Sequence, residues 1–107
     1  MRSSIETADA VRRGELKATE VLDECLAAID AGNASINAFV HLDADLAHES
    51  AARVDQTVAE GGDPGPLAGV PIGVKDLEDC AGMPTSHGSL LYQGRPPIEV
   101  DSFLCPN

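Results

Sequence analysis

The stretch Gly69-Val70-Pro71-Ile72-Gly73-Val74-Lys75-Asp76 constrains the fold more than any other, because it is short, apolar and ends abruptly in charge. Its period of two predicts a β-strand, with Val70, Ile72 and Val74 on one face and Gly69, Pro71, Gly73 and Lys75 on the other. The first face is an ordinary core face. The second is nearly bare of side chain until Lys75, so another backbone can come close, and the lysine falls at the strand's carboxyl end, where open α/β sheets gather ligands and chemistry. These residues alone leave two readings open. Either Lys75 and Asp76 close a strand in solvent, or Lys75 is a chemical group.

Upstream of this stretch the pattern is helical. Ser3-Ser4-Ile5-Glu6 reads as a capping box and Gly14 as a stop, which predicts a short helix burying Ile5, Ala8 and Val11. A longer helix is expected over about Thr19 to Ala31, where Val21, Leu22, Cys25, Leu26 and Ile29 recur at helical spacing before Gly32. Cys25 lies in that apolar stripe and is read as packing rather than as a nucleophile. Ile36 to Leu42 alternates as a second strand, and Asp43 opens a third helix to about Glu60, with Ala47, Ala51, Val54 and Val58 as its stripe. Gly61 to Pro66 is a connector by composition.

Downstream of Lys75 periodicity is lost. Gly82 to Ser89 is a polar loop in which Ser86, His87 and Ser89 suggest a nucleophile and base, although neighbours in a chain rarely point at each other productively. Leu90-Leu91-Tyr92 is placed to dock that loop, and Asp101-Ser102 has the form of a further helix cap, cut short by Pro106.

The length of 107 residues suits one small domain. Its core is thin, since 15 of the 46 apolar residues are alanine and only three are aromatic. A net charge of -11 with no basic patch argues against nucleic acid or an anionic membrane as partner. Cys25, Cys80 and Cys105 are odd in number and widely spaced, as reduced thiols of a cytoplasmic protein would be, and no export signal or membrane-length run is found. His41, Asp43, Asp45 and His48 straddle a predicted strand-to-helix junction and are not expected to converge on a metal. No cofactor is expected either.

Leu67 to Asp76, followed by Gly82-Met83-Pro84-Thr85, resembles the amino-terminal part of the amidase signature family, and Gly14-Glu15-Leu16 and Ile36-Asn37-Ala38-Phe39 resemble its lead-in. The resemblance runs over about residues 4 to 104, and its most specific element is the Gly-x-Pro-x-x-x-Lys-Asp core ending at Asp76. It implies an α/β fold in which amino-terminal helices pack on the first strands of a larger mixed sheet, incomplete in this chain. Residues 1–62 would be a helical lead-in and residues 63–107 the strand and loop region carrying Lys75. It further implies hydrolysis of small-molecule carboxylic amides by a Ser-cisSer-Lys mechanism, with Lys75 at the position of the catalytic lysine.

One departure from the family pattern bears on function. The family's serines lie in a Gly-Ser-Ser-Gly-Gly-type segment downstream of the lysine, and these 107 residues contain none. Two hypotheses are therefore carried. The first is an amidase-family piece that is inactive alone, and the second is a non-catalytic module that docks on a complete amidase, on the missing part or on itself.

Overall fold

The computed structural model describes residues 2–76, 79–92, 94 and 96–101. The chain divides into two compact units, Met1–Pro71 and Ile72–Asn107.

The first unit is helical because its caps and stripes agree. Helix α1, Ser4–Arg12, begins with the expected capping box: the Glu6 amide donates to Ser3 Oγ at 3.2 Å, and the Ser3 amide donates to the Glu6 carboxylate at 2.9 Å. It ends just before Gly14, whose φ of +74° only glycine adopts at little cost. Helix α2 is Ala18–Ile36 and helix α3 is Ala44–Ala59. Asp43 caps α3 as its position suggested, accepting from the Leu46 amide at 2.9 Å.

Helix α3 lies along α2 and also touches α1. The core they enclose is small. Val11, Ala18, Val21 and Ala68 are buried together, and Leu16, Ala51, Val54 and Val58 pack around them. Among the described residues Val11 is the largest side chain closed off completely, at 1% exposure, whereas the expected stripe residue Ile5 is 71% exposed. Such a core is what an alanine-rich, aromatic-poor chain can build.

Two polar ties fix the helices to one another. Lys17 offers α2 no side-chain cap, and Asp55 of α3 supplies one instead: its carboxylate accepts from the Ala18 amide at 2.6 Å, the Thr19 amide at 3.3 Å and the Thr19 hydroxyl at 2.9 Å. His48 of α3 contacts Asp23 of α2 at 2.9 Å through Nε2 and the Ala44 carbonyl at 2.8 Å through Nδ1. Both partners accept hydrogen bonds, so satisfying both requires a proton on each ring nitrogen. The hydrogen bond to Asp23 accordingly raises the His48 pKa above 6.5.

The α/β expectation is overturned. No strand is present among the described residues, whose regular structure is helical throughout. The predicted strand over Ile36 to Leu42 fails first because α2 does not stop at Gly32. It runs on to Ile36 and ends at Asn37, which takes the left-handed conformation at φ 50° and ψ 39°. Asn33 then brackets the chain reversal, donating to the Phe39 carbonyl at 3.0 Å and accepting from the Phe39 amide at 2.8 Å.

The stretch over Gly69 to Asp76 fails as a strand for two reasons. Its beginning is a turn: the Val70 amide donates to the Leu67 carbonyl at 3.1 Å, and Gly69 has φ +73°. Ala68 is thereby pressed into the helical core, and Gly69 sits so near it that a Cβ there would lie 2.8 Å from Val11 Cγ2 and 3.2 Å from Ala18 Cβ. Beyond the turn, residues 70–75 have no ladder partner among the described residues, and Ile72 is left 77% exposed. Alternation makes a segment suitable for a sheet, but a strand exists only against a neighbour.

Candidate functional site

Lys75 lies in the second unit, where carboxylates accept several of the hydrogen bonds that order the chain. Its side chain is exposed. The next residue, Asp76, gathers the loop that follows. Its carboxylate accepts from the Ser86 amide at 2.7 Å, from the Gly88 amide at 3.0 Å and, in a short contact, from the Ser86 hydroxyl. The Asp76 carbonyl also accepts from the His87 amide at 2.9 Å.

These bonds close a tight turn. His87 occupies the left-handed region at φ +53°, which a residue other than glycine seldom enters. Hydrogen bonds from the Ser86 hydroxyl and then from the Ser86 and Gly88 amides stabilise the anion, so the Asp76 pKa falls from 3.8 to about 2.

The same construction recurs nearby. Thr85, 5% exposed, donates its hydroxyl to Asp79 at 2.8 Å, and the Ala81 amide donates to Asp101 at 2.6 Å. Backbone bonds from Gly82 to the Ile98 carbonyl at 2.8 Å and from Ile98 to the Met83 carbonyl at 3.0 Å join the loop to the segment after it. Residues 102–107, including the rest of the predicted Asp101-Ser102 cap, are outside the described part.

The Ser86 and His87 reading is not supported by this geometry. A hydroxyl has one proton, and that of Ser86 is directed at Asp76, a partner that holds the serine in place. The residues considered for a metal are occupied differently: Asp43 caps α3 and His48 pairs with Asp23. A groove of about 290 Å³ lined by Leu26, Ile29, Asp30, Asn33, Ala34 and Leu42 belongs to the first unit and contains none of the residues around Lys75.

The sequence singles out Lys75 as a candidate but gives no sign of Asp76 as an organiser. The signal it lacked is one of distance, since Asp76 and its donors are 10 to 12 residues apart. Asx turns, the local signature of a structuring aspartate, span two or three residues.

Comparison with known proteins settles the family. Residues 20–105 match the family model described as Amidase. The chain belongs to the amidase family. It is 40% identical over 97 residues to the glutamyl-tRNA(Gln) amidotransferase A subunit of Acidobacterium capsulatum, covering 90% of this chain and 20% of that protein. The corresponding protein of Salinispora arenicola is 43% identical over 98 residues, covering 91% and 20%.

Among solved structures, an inhibitor-bound vestigial protein complex bearing on the origins of an s-triazine catabolic enzyme matches with TM-score 0.87 and 34% identity, over 94% of this chain and 22% of that one. A bacterial aryl acylamidase of the amidase signature family matches with TM-score 0.76 and 26% identity, over 94% and 21%. This amidase chain corresponds to an amino-terminal portion of the signature domain, and it spans about a fifth of the length of the curated relatives it matches. No helix among its described residues is long and apolar enough to cross a membrane.

Proposed function

We propose that this chain carries the lysine of a Ser-cisSer-Lys amidase, and that the complete domain hydrolyses the C–N bond of small carboxylic amides. The reading rests on one observation above others: Lys75 closes a Gly-x-Pro-x-x-x-Lys-Asp segment inside a match to the amidase family model. In the proposed mechanism the neutral Lys75 amine accepts a proton relayed through a bridging serine. The nucleophilic serine then attacks the amide carbonyl, the amine leaves with a proton, and water releases the acid from the acyl-enzyme. Both serines would come from outside these 107 residues, which supply the base and its surroundings.

A lysine acts as a base near neutral pH only when its ammonium form is disfavoured by burial or by cationic neighbours. Lys75 is exposed here, so in this proposal the covering comes with the rest of the active site.

A chimera tests the reading. Residues 1–101 would replace the matching segment of a glutamyl-tRNA(Gln) amidotransferase of the kind matched above, and hydrolysis of a simple amide would be assayed. Activity in the chimera that falls by about a hundredfold or more on Lys75→Ala is the expected result. A chimera as active with Lys75→Ala as without it sinks the base assignment.

The second reading is a docking module. It is favoured by the exposure of Leu90 and Leu91, at 85% and 90%. A monomeric mass in sedimentation at micromolar concentration would argue against self-association.

A further inference from the structure

The residue beside Lys75 has a role that the proposed mechanism does not use. An aspartate next to a lysine in an exposed segment would ordinarily lend its charge to the ammonium, holding the lysine in the form that cannot accept a proton. Asp76 is arranged otherwise. A carboxylate offers about four acceptor positions, and three donors occupy this one: the Ser86 amide, the Ser86 hydroxyl and the Gly88 amide. None of these is Lys75. The Asp76 main chain holds the same turn through the His87 amide, so backbone and side chain act together.

We propose that Asp76 is a positioning residue for Lys75: it anchors the turn over Ser86 to Gly88 beside the lysine, and the turn's donors keep its negative charge from pairing with the ammonium. Asp76 need not touch substrate or take up a proton in this role. Ser86 has a part as well, since its hydroxyl is the one donor of the three that a side-chain substitution removes. The inference rests on the reading of Lys75 as a base, but its geometry and its test do not require turnover.

The reactivity of the Lys75 amine reports the effect, because only the neutral amine is acylated. The chain has one other lysine, Lys17, which is exposed and in the other unit, and so serves as an internal reference. The 107-residue chain would be treated with a limiting amount of acetyl N-hydroxysuccinimide ester at fixed pH, and the ratio of Lys75 to Lys17 acetylation read by peptide mass spectrometry.

In Ser86→Ala the carboxylate loses its hydroxyl donor and is free to pair with the ammonium. The ratio is expected to fall by about two- to fivefold, the size of an exposed ion-pair effect. Asp76→Asn should leave the ratio at or above that of the unaltered chain, and the double variant Ser86→Ala, Asp76→Asn should restore it. A merely structural role predicts a different order, because both single variants loosen the turn and would shift the ratio the same way.

An unmoved ratio in Ser86→Ala, or a double variant as low as Ser86→Ala alone, overturns the proposal. An inactive chimera with the expected labelling order would discredit only the amidase mechanism. An active chimera with an unmoved ratio would discredit only the positioning role.

Discussion

Asp76 shows how much one side chain organises in the second unit, where three hydrogen bonds to its carboxylate define a turn. Its titration makes this measurable. The folded pKa of about 2 lies below the ordinary 3.8, so the interaction contributes stability at pH above about 4 and loses it as pH falls through about 2. The Ser86 and Gly88 amide resonances should therefore titrate together near pH 2 by NMR, and a midpoint near 3.8 would mean that the carboxylate is not held as described. Gly69 illustrates a residue legible for the wrong reason. Its lack of a side chain suggested room for a covering segment, whereas the room is already filled by Val11 and Ala18 and the backbone is left-handed.

At the scale of elements, the helices were readable where their signals were local. The capping box of α1 and the Asp43 cap of α3 involve residues three apart, and both formed as the sequence indicated. Helix α2 departs from expectation at each end. Its start is capped by Asp55, 36 to 37 residues away, and its interior passes through Gly32, where a Cβ would meet nothing within 4 Å. Substitutions at the two positions should act in opposite directions. Asp55→Ala removes the cap and should cost about 1–2 kcal/mol, while Gly32→Ala reduces the backbone freedom of the unfolded chain and should add about 0.5–1 kcal/mol. Urea denaturation followed by circular dichroism would read both as shifts in midpoint, and a destabilising Gly32→Ala would contradict the uninterrupted helix.

For the molecule as a whole, the thin core and the exposure of Lys75 bear on activity. The purified chain should hydrolyse neither aliphatic nor aryl amides, and a fluorophosphonate probe should not label it, since these 107 residues contain no Gly-Ser-Ser-Gly-Gly-type segment and Asp76, with a pKa of about 2, is too weak a base to activate the Ser86 hydroxyl. Labelling that disappears in Ser86→Ala or Ser89→Ala would show a nucleophile where none is assigned. Helices α1 and α3, the interior of α2, the net acidity and the family core ending at Asp76 follow from the order of residues alone, because caps, periodicity and motif residues act over a few positions. Three further features arise from contacts between distant parts of the chain: the apolar stretch begins as a turn docked on helices, α2 takes its cap from α3, and Asp76 gathers a loop ten residues away. Each of these depends on which distant backbone or side chain completes the hydrogen bonds, and neither alternation nor propensity along the chain specifies that partner.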